Sequence, residues 1–526
     1  MKKYFTAVVT TIVLLSNVHA QKMHEGAEII FADLKLERSN HVFLIDAFRV
    51  NDGYIVFKKE PIRGPGGYHY FIEKFDRRMN SIQIHDVSKQ FEDENYVIGS
   101  ITKVGKTYFL FTTRKYKKQL KEELYVQTFN WKSGALSERN KLYTQLNEKK
   151  RNYINYEVRT SPDKSLLLLI IHPIYQKNEL EKVHLTVYDD SMQEFWAVKN
   201  FKVDYLDKNY SIINTVLGNK ATVHMLGRNF IKKDKKAGIK ARSEYEVISI
   251  FEGDKRVEKL DQGERKFDDI SLKITSDGSL ILGGYYRIKG GIGIDGVFLF
   301  NLTNKGKVKS KTWDAFSTEF ITAEYSEKHK MKMNIKEKKG LDLGITNLYL
   351  RDVIQHDNGE MSMVGEIYWV TTYTTTNSNG VSTTHTTHHY GDLIISRIST
   401  TGEVLRHVRY NKHHTFWGQY RLFDLNNELA ILINGNRTLT MDVNLDEMSK
   451  KERKIISGTA LLLAHVNKEG EEVHKMLLDY KKREYEGFGS YHLQNDIADV
   501  SDNEFIMITY CGKKKFGIAR LKFDKD

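Results

Sequence analysis

Cysteine is almost absent from this 526-residue chain: Cys511 is the only one. That excludes an internal disulfide framework and leaves apolar burial to hold the fold together. Proline is scarce too, four residues in all, which excludes collagen-like and proline-rich disordered architectures. After the first 15 residues no run of 18 apolar residues occurs, so no membrane-spanning helix is expected. Neither a Gly-x-Ser-x-Gly elbow nor an EF-hand loop is present, sialidase-type S-x-D-x-G boxes do not repeat, and the five tryptophans do not recur once per structural unit. Gly291, Gly293 and Gly296 do spell G-x-G-x-x-G, but a strand-like VFLFNL follows where a dinucleotide site needs a helix. No cofactor is expected.

Aromatic and β-branched residues are plentiful, and this composition favours strands. They are organised by an internal repeat. DISLKITSDGSLILGGYYRIKGGIGIDGVFLFNLTNKGKVK aligns with the stretch from Thr346 to Val408: Gly278 and Gly284 match Gly359 and Gly365, and Leu302, Gly306 and Val308 match Ile398, Gly402 and Val404. The two offsets, 81 and 96 residues, differ because one hairpin of the second copy is 15 residues longer. Each copy reads strand, turn, strand, hairpin, strand, turn, strand, and self-similarity of that kind signals a propeller or solenoid. Glycine recurs after the third strand because chain reversal there calls for positive φ.

Turn anchors at Gly53, Gly105, Asp163, Asn219, Gly278, Gly359, Asn427 and Asn503 count eight units, or seven if blade one or four is decorated differently. The last unit is one strand short, whereas Ala27 to Leu36 (AEIIFADLKL) is a strand with no partner in its own unit. A ring must join its first and last blades or leave sheet edges open, so the amino-terminal strand is expected to complete the carboxyl-terminal blade. The expected fold is therefore all-β: one β-propeller of about eight four-stranded blades over residues 21–526, interrupted by a helical, basic insertion at 316–341.

Residues 1–20 read as a secretory signal: Lys2 and Lys3, an apolar Phe5 to Leu15, and a small-residue cleavage site at Val18-His19-Ala20. A periplasmic or secreted protein is expected, without a lipid-anchor cysteine. The formal charge is +13, with both signs interspersed, which reads as solubility and a mild preference for anionic partners, not as a nucleic-acid footprint.

The segments DGSLILGG (Asp277–Gly284) and FLFNLTNKGKV (Phe298–Val308) resemble repeats of exported bacterial β-propeller proteins. The element GEIYWVTTYTTT…YGDLIISRI resembles one found in uncharacterised secreted proteins of the Bacteroidetes group. These motifs are architectural, and the resemblance implies a fold without implying an activity.

The functional lead is the long hairpin of blade six. A two-residue turn at Asn379-Gly380 pairs Thr374 with His385, Thr371 with His388 and Trp369 with Tyr390. It thus puts Trp369, Tyr373, His388 and Tyr390 on one face and Tyr368, His385 and His389 on the other. An aromatic face of this kind suits a sugar ring or a partner's side chain. His385 and His389, four apart with no Cys or carboxylate pair near them, make a poor metal set. Arg351, Asp352, Glu366 and Asp392 fall near the inner end of the same blade, where paired carboxylates can run glycoside chemistry. The reading is a monomeric, non-enzymatic binding or scaffold propeller that engages a protein or glycan through Arg351, Glu366, Trp369, Tyr373, His388 and Tyr390. The alternative is a hydrolase or lyase acting on anionic polysaccharide at the channel mouth.

Overall fold

A computed structural model describes residues 20–24, 26–32, 35–36, 42–61, 68–88, 96–147, 153–233, 241–275, 277–288, 291, 293–323, 327, 330–331, 343–376, 378–412, 420–440, 449, 459–467, 470–479, 488–489, 497–511 and 515–524. The residues before Ala20, where a signal is expected, and most of the 316–341 stretch lie outside them.

The alternating apolar runs form eight antiparallel sheets in chain order, each with four principal strands, and they make a β-propeller. The blades span residues 43–86, 96–146, 155–206, 210–260, 265–315, 348–410, 420–479 and 497–523, the last extended by amino-terminal strands. Seven of the eight turn anchors read from the sequence lie between the first and second strands of their blades, and Gly53 opens the second strand of blade one. Gly306 and Gly402, matched in the repeat, both close third-to-fourth-strand turns with φ of +81° and +92°, where a Cβ is disfavoured.

Packing shows how the sheets are arranged. The buried apolar side chains fall into eight clusters, and each one bridges two consecutive blades. Leu168, Val187 and Trp196 of blade three meet Val223 and Ile250 of blade four. Val364 and Ile395 of blade six meet Ile431 and Leu462 of blade seven. The eighth cluster returns to the start, setting Ile506, Ile508 and Ile518 of blade eight against Val42, Tyr54, Val56 and Phe75 of blade one. The ring is closed by this face-to-face packing.

Blade eight is completed as expected: Ala27–Phe31 lies antiparallel to the last strand, with Ala27 opposite Phe523 and Phe31 opposite Ala519. Lys35 and Leu36 continue along the same strand, opposite Phe516 and Lys515. Beyond the expectation, Ala20–His24 adds a further strand outside it. Ionic contacts reinforce the seam. Glu504 of blade eight is buried and meets Arg49 of blade one at 3.2 Å and Arg520 at 3.0 Å, and it accepts a hydrogen bond from the Tyr54 hydroxyl. Arg520 also pairs with Glu28 of the amino-terminal strand and donates to the Arg77 carbonyl in blade one at 3.0 Å.

The inner strands share a device that matters for the site. In blades one, two, four, five and six the register shifts by one residue near the start of the strand. In blades one, five and six an aspartate follows the bulge, and Asp46, Asp269 and Asp352 each accept the next backbone N–H. A bulge re-aims the extra residue, and in blade six that residue is Arg351. The insertion begins with a short helix, Thr318–Thr322, capped by Ser317, with Phe316 and Ile321 buried between blades five and six.

Two outcomes test this description. Ile29 is 1% exposed in the closing strand, so Ile29→Ala should cost about 2–5 kcal/mol, read as a lowered denaturation midpoint; an unchanged midpoint contradicts the closure. His224 is buried with Nδ1 2.8 Å from the Ser249 hydroxyl, and burial pushes its imidazole down to about 4. In the unfolded chain this histidine binds its proton near pH 6.5, so stability present above that pH is lost as the pH falls toward 4, by about 1.4 kcal/mol per unit. The stability difference between the parent and His224→Gln should therefore shrink between pH 7 and pH 4.5, and a constant difference contradicts it.

Candidate functional site

The second and third strands of blade six, Met361–Thr376 and Ser382–Ile398, are far longer than their counterparts in the other blades. The half of each strand nearest the chain reversal has nothing to pack against: residues 369–376 and 378–388 are exposed. Paired over the nine positions from Tyr368 to Thr376, the ribbon stands out from the ring by roughly 25–30 Å at about 3.3 Å per residue.

Register within the ribbon differs from the sequence expectation. Below Glu366, which lies opposite Leu393, the pairing follows the anticipated count, but a bulge between Glu366 and Tyr368 then shifts it by one residue. Trp369 lies opposite His389 instead of Tyr390, Thr371 opposite Thr387, and Tyr373 opposite His385. A one-residue shift exchanges faces. The expected grouping of Trp369 and Tyr373 with His388 and Tyr390 is therefore corrected: the two pairs lie on opposite faces of the ribbon.

On one face Trp369 stacks on His389 at 4.9 Å and Tyr373 on His385 at 4.8 Å. Each imidazole is held in place by a threonine across the ribbon, with Thr371 Oγ1 2.8 Å from His389 Nε2 and Thr375 Oγ1 3.1 Å from His385 Nε2. The histidines are thus turned to rings and hydroxyls and not to a shared centre. Among the described residues no group of three or more His, Cys, Asp and Glu side chains is placed to hold a metal. On the other face Tyr368 carries the arrangement. Its hydroxyl lies 2.6 Å from His388 Nδ1, and its ring meets Tyr390 at 5.1 Å and Tyr349 at 6.0 Å.

The ribbon is anchored by an ionic clasp. Glu366 is 2% exposed, and its carboxylate takes Arg351 Nε at 2.7 Å on one oxygen and the ammonium of Lys412, itself 3% exposed, on the other. Burial pulls Lys412 below the usual lysine range, an effect opposed by the Glu366 charge. Both cations also lie over ribbon rings, Arg351 over Tyr368 and Lys412 over Tyr390, each at 5.8 Å. The remaining carboxylates are engaged as well: Asp352 meets Lys273 at 2.8 Å and Asp392 meets Arg409 at 3.3 Å. Arg351 and Glu366 are therefore brought together as anticipated, but as a structural pair. Lys412, Tyr349 and Tyr368 complete the arrangement. Lys412 lies 46 residues from Glu366 and in no shared motif, so only the folded blade reveals it.

Two Ser–His–Asp lines, also invisible in the sequence, occur close by. His356 joins the Asp424 carboxylate through Nδ1 and the Ser362 hydroxyl through Nε2 at 2.8 Å; His407 joins Ser396 at 2.9 Å and Asp314 at 2.7 Å. Such lines activate a serine nucleophile when a substrate can reach it. Here both serines are 0% exposed, and the aspartates come from adjacent blades, Asp424 from blade seven and Asp314 from blade five. Both lines fasten blades to one another. On the face away from the ribbon, Asp46, Thr102, Lys103, Thr160, Lys164 and Asp499 line a recess of about 400 Å³ at the channel mouth. Burial raises Asp46 there to about 6.

No family model matches the sequence, and no curated protein matches it. Among solved structures the chain is similar to the β-propeller domain of the Trilobed protease from Pyrococcus furiosus, at 11% identity, covering 84% of this chain and 97% of that one with a TM-score of 0.37. It is also similar to the WD40 domain of SCAP from fission yeast, at 9% identity, 94% of each chain and a TM-score of 0.39. A third similar structure is the acylaminoacyl peptidase of Pyrococcus horikoshii, at 12% identity and a TM-score of 0.37, where 90% of this chain is covered but only 59% of the enzyme.

The clasp makes a prediction of its own. Glu366→Leu leaves Lys412 buried without its counter-charge and should destabilise the protein by about 3–5 kcal/mol, whereas adding Lys412→Met should recover most of that loss. Denaturant midpoints of the parent, single and double variants measure it, and a single variant as stable as the parent contradicts the clasp.

Proposed function

We propose that this chain is an exported binding or scaffold propeller that engages a protein or glycan partner through the loop face of blade six, and that its signal-like start directs it to the periplasm or the exterior. The observation that carries this reading is the ribbon itself. Trp369 and Tyr373 are 40% and 56% exposed, yet each is held in a stacked pair with a histidine, so much of the ordering cost of binding is already met in the free protein. Large aromatic side chains presented in a fixed geometry are the residues that dominate interface energetics. Catalysis by the blade-six carboxylates is disfavoured on the same geometry, because Glu366, Asp352 and Asp392 each face a cation. The reading keeps Arg351 and Glu366 as supports of the ribbon base and treats Trp369 and Tyr373, with His385 and His389, as the contact face. His388 and Tyr390 serve the opposite face.

The test replaces Thr371 to His388 by a tight turn. The truncated protein should keep the parent's far-ultraviolet spectrum and melting behaviour but lose the envelope proteins or glycans that the parent retains in pull-down and glycan-array experiments. Trp369→Ala with Tyr373→Ala should weaken the same interaction at least ten-fold, about 1.4 kcal/mol. An unchanged partner set after truncation contradicts the proposal.

A further inference from the structure

The blade-six ribbon has edges as well as faces. From Ile367 to Gly391 the sequence runs for 25 residues without an Asp, Glu, Lys, Arg or Pro. Charged residues make up 28% of the chain, so a stretch of that length would on average carry about seven, and the ribbon is a neutral island in a charged protein. Exposed strand edges are ordinarily guarded by charged side chains or proline, because unpaired N–H and C=O groups invite another strand. The outermost strands of blades four and five follow that rule: Asp254–Leu260 reads DKRVEKL and Val308–Ala315 reads VKSKTWDA. The ribbon edge from Val370 to Thr376 reads VTTYTTT and has no such guard.

The ladder shows which backbone groups are open. Pairing of the ribbon's first strand with the inner strand of the blade ends at Ile367, opposite Leu348, and the Tyr368 N–H reaches the Asn347 carbonyl at 2.9 Å. Tyr368 therefore turns its backbone groups away from the ribbon's second strand. Pairing from Tyr368 to Thr376 is unbroken, so Val370, Thr372, Thr374 and Thr376 turn theirs the same way by the two-residue period. Among the described residues no strand pairs with them, and all four are exposed. The ribbon is held across its own two strands by hydroxyls, with Thr374 3.2 Å from Thr384 and Thr376 2.9 Å from Ser382.

This edge is complementary to its own copy. Antiparallel pairing about a two-fold axis at Tyr373 sets Val370 opposite Thr376 of a second copy and Thr372 opposite its Thr374. All the outward residues then fall in hydrogen-bonded pairs, which gives about eight backbone hydrogen bonds. A slip of one residue would set outward groups against inward ones. The side chains suit the same register, because hydroxyl and β-branched residues meet their like, the two Tyr373 rings meet at the axis, and no like charges are opposed. The ribbons also hold apart two rings that each carry a formal charge of +13 and repel one another.

We propose that the Val370–Thr376 edge pairs with the same edge of a second copy of this chain, joining two ribbons into one four-stranded sheet. Pairing uses the edge and not the aromatic face proposed for partner contact, and it lays two such faces side by side. The area covered is small beside that of permanent dimers, so monomer and dimer exchange with concentration.

Sedimentation velocity of the full chain over a hundred-fold range of concentration tests the pairing. A shift from monomer to dimer should appear, and it should persist or strengthen at higher salt, which screens the repulsion between the rings. Thr372→Pro removes one outward N–H while sparing the ribbon's own ladder, and should weaken dimerisation at least ten-fold. Thr386→Pro makes the same change in the residue opposite, on the ribbon's other edge, and should leave dimerisation within two-fold. Thr372→Lys with Thr374→Lys, and separately Thr372→Glu with Thr374→Glu, should each abolish self-pairing, while an equal mixture of the two variants recovers the dimer. Trp369→Ala should leave dimerisation unchanged, which separates the edge from the contact face. The pairing is overturned if the chain stays monomeric throughout, if the dimer is lost at higher salt, if the two proline variants act alike, or if the Lys and Glu variants do not recover each other. A monomer that still captures the parent's partners leaves the contact-face reading standing.

Discussion

The joint between the two ends of the chain is the constraint on which the rest of this protein depends. Without a disulfide, the carboxyl-terminal strands of blade eight are held to blade one by a five-residue pairing with the amino-terminal strand that leads into it, one apolar cluster and a buried carboxylate. Glu504 ties three parts together: Tyr54 and Arg49 from blade one, and Arg520, which reaches on to Glu28. Every other seam joins blades that are neighbours in sequence. This one brings together residues some 490 positions apart, as in the 492-residue separation of Arg520 and Glu28, so its formation carries the largest loop-closure cost in the molecule. Once it forms, each blade is packed on both faces, and the strand surfaces are fully used in holding the ring.

That leaves loops for function. Blade six presents rings locked in pairs on a ribbon whose base is fixed by the Arg351–Glu366–Lys412 clasp. Side chains that are flexible elsewhere are thus ordered before any partner arrives. Polar groups that resemble catalytic machinery do other work. The serines hydrogen-bonded to His356 and His407 are sealed between blades, and their histidines and aspartates act as inter-blade bolts.

Much of the architecture was legible in the sequence, because the fold repeats and its punctuation is local. Gly278, Gly359 and their counterparts mark first turns in every blade, and the orphan strand at Ala27 together with the incomplete last unit implied their own pairing. The ribbon was visible as a length difference between blades five and six. Its facing was not, because the count assumed a two-residue turn at Asn379-Gly380, whereas the first pair is Thr376 with Ser382, with five residues between them at the reversal, and the bulge at Glu366–Tyr368 restores the anticipated register only at the ribbon's base. Bulges leave no dependable local mark. The same holds for the clasp: Arg351 and Glu366 could be suspected from their place in the blade, whereas Lys412 is joined to them only by folding.

Closure can be measured directly. Backbone hydrogen bonds from Ala32 to Ile518 and from Asp524 to Gly26 place Ile29 and Leu521, which lie opposite each other, at a non-hydrogen-bonded position of the ladder. There Cα atoms approach to about 4.5 Å, close enough for a disulfide. In a Cys511→Ser background, Ile29→Cys with Leu521→Cys should oxidise to a circularised chain with altered mobility on a non-reducing gel and a higher melting temperature, while Ile29→Cys with Ile508→Cys should not. Failure of the first pair to cross-link in the folded protein, or equal cross-linking of both pairs, would contradict the closed ring.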